Sequence, residues 1–302
     1  MSMEMRTLGN TDLKVSRLGL GLAEIGFELR LKREQQANRV LNQALDAGIN
    51  FLDTAACYGD SETLIGHSVA HRRDEFVLAT KAGHSTNDYP GRSWTAETVR
   101  DSIERSLKRM KTDRLDLVQL HSCSLEVLQE GEVIRALLDA KQAGKTRYVG
   151  YSGDNEAARW AVESGHFDTL QTSFNVVDQR ARIDLFAEAE ARGLGIIAKR
   201  PIANAVWGSS ENSDAPALYR QRAREMGDMG PVPSAPDDPI LLALGFTLAH
   251  DAIDTAIVGT KNPNHVRSNV EMVEHALPIA REAVDELHRR YDALVDGWRQ
   301  QE

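Results

Sequence analysis

Apolar and polar positions along the chain follow two rhythms. Short apolar runs closing on a polar residue predict buried strands, and stretches with apolar positions every three or four residues predict amphipathic helices. Residues 6–13, with Gly9-Asn10 between two short β-like pieces, predict a hairpin, and residues 17–22 predict the first core strand. Residues 32–47 place Ala37, Val40, Leu41, Ala44 and Leu45 on one helical face and stop at Gly48. Phe51 and Leu52 predict a strand, 61–69 a helix, 76–80 a strand and 95–110 a helix with Thr95 as its N-cap. Further strands are expected over 115–120, 146–151, 169–174, 195–199 and 255–258. They alternate with helices over 131–143, 155–164, 182–191, 239–250 and 264–274, and a longer helix follows over 279–298. Residues 84–93 and 202–238 read as loops, the second rich in Gly, Pro, Ser and Asn.

About eight strand–helix units without a break predict an α/β fold. It is read as a (β/α)8 TIM barrel over residues 1–302 as a single domain, with an N-terminal β-hairpin and an extra C-terminal helix. An open doubly wound sheet is the competing layout. It carries a G-x-G-x-x-G turn, whereas here Gly19 and Gly21 are followed by Glu24 where the third glycine belongs.

The strand ends carry chemistry. The active site of such a barrel lies at the C-terminal ends of its strands. Those ends here are Asp53 with nearby Tyr58, then Lys81, His121, Ser152, Gln171, Lys199 and Gly259-Thr260-Lys261. Each has a bland reading alone: a cap, a surface lysine, a hydrogen-bonded structural histidine. Four ionisable groups at equivalent points of consecutive units favour a functional cluster. A phenol with a reference pKa near 10 is a reluctant acid, and a neighbouring ammonium lowers that pKa. Lys81 can supply the charge, Asp53 can hold Lys81, and His121 can hydrogen-bond the oxygen that Tyr58 protonates. The set is a general-acid site for reducing a carbonyl, and its hydride must come from a cofactor.

Composition narrows the partners. The formal net charge of -9 argues against nucleic acid or an anionic membrane surface as the main partner. The start, MSMEMRTLGN, shows no apolar signal segment, and no run is long enough to span a bilayer. With only 2 cysteines, Cys57 and Cys123, the chain is expected in a reducing cytoplasm, both thiols serving as small packing residues. Oligomeric state is not legible.

The segments DTAACYGDSETLIG, LATKAG, VQLHS, VGYSG, LQTSFN and AIVGTKNPNHVRSNVE together resemble the aldo-keto reductases over nearly the whole chain. The resemblance implies a barrel binding NADPH, with Asp53, Tyr58, Lys81 and His121 as catalytic tetrad and Tyr58 donating the proton to an aldehyde or ketone. It implies that Ser152 and Gln171 hold the nicotinamide carboxamide. Gly21 and the exit of the seventh barrel strand, at Lys199 and Arg200, would lie against nicotinamide and pyrophosphate. Gly259, Thr260, Lys261, His265, Ser268 and Asn269 would hold the adenosine end. Two departures from the family pattern stand out. Gly153 replaces the usual asparagine after Ser152, with Asp154 or a water as substitute, and Lys199 stands where many members stack an aromatic ring on nicotinamide. The Lys199–Arg200 pair is read as a phosphate clamp, against an ion pair with no substrate role. Lys261 favours NADPH over NADH. Trp207 and Glu24 are candidates for lining the substrate pocket, Gly21 and Ala23 leave room near the nicotinamide, and Trp94 is expected to staple a helix start. The short tail after the last helix leaves little chain for a specificity loop. The competing functional readings are a weakly catalytic barrel that senses cofactor for a partner, and a metal-dependent hydrolase. The hydrolase lacks its usual histidine pair, because Gly19-Leu20-Gly21 stands there.

Overall fold

A computed structural model describes residues 3–86, 88–206, 216–296 and 298–301. Strands β1 (Met5–Thr7) and β2 (Lys14–Ser16) pair antiparallel around Gly9, whose φ of 52° is a left-handed value that glycine adopts without strain. The hairpin sends Leu8, Leu13 and Val15 into a small apolar cluster with Phe51, Val77, Leu117, Ile197 and Ile257, which plugs the N-terminal end of the barrel.

Eight parallel strands close that barrel: β3 (Leu18–Gly21), β4 (Phe51–Asp53), β5 (Val77–Ala82), β6 (Leu115–His121), β7 (Thr146–Ser152), β8 (Thr169–Ser173), β9 (Gly195–Lys199) and β10 (Thr255–Gly259), which pairs back with β3. The register sets Gly21 beside both Asp53 and Gly259, and sets His121 beside Ser152 and Ser152 beside Gln171. The polar strand ends therefore share one rim.

The outer layer runs α1 (Glu34–Asp46), α2 (Ser61–Ser68), α3 (Ala96–Met110), α4 (Leu125–Glu130), α5 (Glu132–Gln142), α6 (Asn155–Ser164), α7 (Arg180–Asp184), α8 (Phe186–Ala191), α9 (Ala217–Gly227), α10 (Pro239–Leu248), α11 (Pro263–His275) and α12 (Arg281–Leu294). In α1 the buried face is Ala37, Val40, Leu41 and Ala44, and in α3 the Thr95 hydroxyl accepts from the Thr98 amide as an N-cap. No helix among the described residues is long and apolar enough to cross a membrane.

Four expectations need correcting. The segment 202–238 contains α9, whose inward face is Tyr219, Arg222 and Met226. A buried arginine breaks the apolar period, so the helix reads as loop. The helix expected over 182–191 is two short ones, interrupted at Leu185 (φ -126°). A short α4, capped by Ser124, precedes α5. Finally, α12 ends at Leu294, so Trp298 belongs to a tail outside it.

Candidate active site

The turn after β4 builds the centre of the site. Thr54 donates through its hydroxyl to Ser61 Oγ at 2.7 Å, and the Ser61 amide donates to Tyr58 O at 3.0 Å, so the turn feeds straight into α2. Behind it the buried Glu62 carboxylate accepts from Thr80, Ser106 and Arg109, and Arg109 also donates to Ala56 O at 3.1 Å. In front, a helical turn over Ile25–Leu29 presses on it so closely that a Cβ at Gly26 would fall 1.9 Å from Tyr58 O.

The four ionisable groups meet. Lys81, 2% exposed, donates from Nζ to Asp53 Oδ2 at 2.5 Å and to Thr54 O at 3.0 Å, and its ammonium lies 5.2 Å from the centre of the Tyr58 ring. Burial alone would lower the lysine, but Asp53 and Tyr58 outweigh it, so its pKa is raised and it stays charged. For Tyr58 the balance differs from expectation. Burial outweighs the pull of Lys81, and the phenol is held above its ordinary value. The tyrosine thus keeps its proton, and Lys81 limits the penalty on losing it. His121 Nε2 lies 3.5 Å from Tyr58 Oη, and burial, then Lys81, His84 and Lys199, hold the imidazole well below its usual pKa, so it is neutral.

Two side chains at this site carry no sequence signal. Phe27, half exposed, sets its ring 5.7 Å from that of Tyr58, and His84 lies edge-on to His121 at 5.0 Å. Trp94 packs on His84 at 4.5 Å and covers Gly83, so it braces this wall as well as preceding α3.

Ser152 and Gln171 continue the network inward. Gln171 Nε2 donates to Asp53 Oδ1 at 3.0 Å, and Ser152 Oγ donates to Gln171 Oε1 at 2.7 Å. A carboxylate only accepts, which fixes the amide's orientation. Gly153 has a local reason: a Cβ there would lie 2.4 Å from the Tyr151 hydroxyl, which donates to Cys123 O. Asp154 is not free to take the asparagine's place. It pairs with Lys199 Nζ at 2.8 Å and accepts from Thr172 Oγ1 and the Ser173 amide. Lys199 thus forms the ion pair that was the competing reading of the Lys199–Arg200 pair. Burial lowers it, with Asp154 opposing. Arg200 donates to Ser173 Oγ at 3.1 Å and to Gln301 O at 2.5 Å.

Residues 298–301 of the tail fold back over the exits of β7 and β8. Gln300 is buried there and donates to Thr172 Oγ1 and Ser173 O, and it exchanges hydrogen bonds with Asn155. A hollow of about 770 Å3 beside this tail, bordered by Cys123, Tyr151, Asp154 and Trp298, does not include Tyr58, Lys81 or His121.

On the same rim, next to Asp53, Gly21 and Gly259 lie side by side, and a Cβ at Gly21 would sit 3.5 Å from Gly259 N, so bare backbone lines this part of the mouth. Asn262 caps α11, whose first turn faces this rim. Thr260 Oγ1 lies 3.4 Å from His265 Nδ1, Ser268 Oγ donates to His265 O, and Asn269 is buried. Lys261 forms an ion pair with Glu28, and the Glu24 carboxylate leans over Gly259. Trp207 lies outside the described residues.

Comparison with known proteins agrees with this fold. A 30% identical relative, "Uncharacterized oxidoreductase YqkF" of Bacillus subtilis (strain 168), aligns over 89% of this chain and 90% of its own. "L-galactose dehydrogenase" of Arabidopsis thaliana is 29% identical over 90% of this chain and 88% of its own. Among solved structures, the holo form of aldo-keto reductase AKR11C1 from Bacillus halodurans superposes with a TM-score of 0.82 at 27% identity, covering 95% of this chain and 96% of the other. The family model described as Aldo/keto reductase family matches residues 17–289. Since that match runs from the start of the barrel into its last helix, the chain belongs to the aldo/keto reductase family.

Proposed function

We propose that the chain reduces aldehyde or ketone carbonyls to alcohols, reversibly, with Tyr58 as general acid and NADPH as the preferred cofactor. Family membership makes it an oxidoreductase of the class that uses a nicotinamide cofactor. The observation that carries the reading is the buried Lys81 ammonium, bonded to Asp53 and set beside the Tyr58 ring.

The residues fit a dinucleotide. The backbone at Gly21 and Gly259 leaves a cradle that side chains would fill, the start of α11 favours an anion, and Thr260, Lys261, His265, Ser268 and Asn269 surround that start. Ser152 and Gln171 would meet the carboxamide end, beside Asp53. When bound, the cofactor supplies the hydride. The chain's own residues do the rest. Tyr58 Oη holds the proton destined for the carbonyl oxygen, and Lys81 stabilises the phenolate left behind. Asp53 keeps Lys81 charged and aimed. His121, neutral, offers a second hydrogen bond to the same oxygen, and the Phe27 ring walls the mouth with an apolar face.

The test is fluorescence titration with NADPH and NADH, then NADPH oxidation with 4-nitrobenzaldehyde and a wider carbonyl panel. Tyr58→Phe is expected to lower kcat by about 10²- to 10⁴-fold. Turnover of that variant at the wild-type rate would remove Tyr58 from the role. Lys261→Ala is expected to weaken NADPH binding toward that of NADH, and equal loss for both cofactors would place Lys261 away from the 2′-phosphate.

A further inference from the structure

His121 is gripped on both edges of its ring, and the grip on the far edge comes from a thiol. Cys57 immediately precedes Tyr58 in the turn after β4. Its Sγ lies 3.3 Å from His121 Nδ1, while Nε2 on the opposite edge faces Tyr58 Oη at 3.5 Å. His84 packs edge-on at 5.0 Å, so the plane of the imidazole is set by packing. What remains open is which nitrogen carries the hydrogen.

The donors and acceptors decide it. The ring is neutral, so one nitrogen donates and the other accepts. Burial pushes the Cys57 thiol up to about 11, so it keeps its S–H at neutral pH. Sulfur is a weak acceptor. A hydrogen on Nδ1 would therefore point at a poor partner. It would also leave Nε2 as an acceptor for the Tyr58 hydrogen, drawing that hydrogen away from the carbonyl oxygen. A hydrogen on Nε2 uses both contacts: the thiol donates to Nδ1, and Nε2–H points to the place where the carbonyl oxygen meets Tyr58.

We infer that Cys57 is a positioning residue, whose S–H···Nδ1 hydrogen bond holds His121 in the Nε2–H tautomer and so keeps the imidazole a donor toward the reacting oxygen. The catalytic consequence rests on the reading of Tyr58 as general acid. The tautomer itself is a property of the free protein. Cys57 sits between Ala56 and Tyr58 in DTAACYG and has no periodicity of its own, so only the folded turn shows what its sulfur faces.

The test is a long-range 1H–15N correlation spectrum of histidine-labelled protein, with the His121 signals assigned by their loss in His121→Asn. It is read for wild type, Cys57→Ala and Cys57→Ser alongside kcat and KM. Wild type is expected to show pyrrole-type Nε2 and pyridine-type Nδ1. Cys57→Ala should shift toward a mixture of tautomers, with kcat about fivefold lower and KM for NADPH unchanged. Cys57→Ser, whose hydroxyl can donate to the same nitrogen, should restore both. A hydrogen on Nδ1 in wild type, or a Cys57→Ala spectrum identical to wild type, overturns the inference. A wild-type protein that turns over no carbonyl overturns the proposed function instead, and the spectra still decide the tautomer.

Discussion

A lysine side chain almost sealed from water is costly unless a carboxylate and further hydrogen bonds meet its ammonium. At Lys81 both are present, in Asp53 and Thr54 O, and the carboxylate is itself held by Gln171. Asp53→Asn is therefore expected to do more than remove a charge. It should let the Lys81 pKa fall under the burial that Asp53 now offsets, and lower kcat more at high pH than at neutral pH, which a pH profile of both proteins checks. Phe27→Ala is expected to raise KM for aromatic aldehydes roughly five- to tenfold with little change in kcat, because it removes a wall and no proton donor. Equal effects on small aliphatic aldehydes would place Phe27 outside the pocket. Asp53, Tyr58, Lys81 and His121 were legible because each closes, or closely follows, a short apolar run, and the βα period places such positions on one rim. Phe27 was not, because it lies in an irregular turn whose neighbours give no rhythm. The partner of Lys199 in its ion pair was not, because Asp154 follows a different strand.

At the scale of elements, caps and tails matter most. Thr95→Ala removes the hydroxyl that satisfies the Thr98 amide at the start of α3 and should cost about 1 kcal/mol, measured as a shift in denaturant midpoint with unchanged slope. That helix also carries Arg105 and Arg109, which bind Asp88 in the 84–93 loop, and Arg109 reaches back to Glu62 behind the catalytic turn. The helix thus ties a rim loop to the turn that presents Tyr58. Most helices and all eight barrel strands were readable from period and glycine stops. α9 was not, because Arg222 occupies its buried face, its guanidinium 4.7 Å from the Trp298 ring and 3.7 Å from Asp178. The return of the tail was not either, because Gln300 amide bonds, which leave no apolar period, help to hold it.

Across the whole molecule, the tail, α9 and the β8 exit converge on Asp178, which is fully buried and accepts from Tyr219 Oη and the Gln301 amide, each at 3.0 Å. Burial pushes its carboxyl up to about 7, with Asp154 adding to the push and the Gln301 amide, Arg222 and Tyr219 opposing it. An unfolded aspartate titrates near about 4. Between that pH and about 7 the folded chain holds a proton that the unfolded chain has released, so this group's contribution to stability falls as pH rises through the window. Asp178→Asn should therefore gain in Tm relative to wild type on going from pH 5 to pH 8, and a constant difference would show that the carboxyl titrates normally. The joint action of the Asp53–Lys81–Tyr58 set is tested most directly by a double-mutant cycle on kcat for 4-nitrobenzaldehyde reduction, using Tyr58→Phe, Lys81→Met and the pair. If the ammonium acts through the phenol, the double variant is no slower than Tyr58→Phe alone. Losses that multiply independently would contradict it.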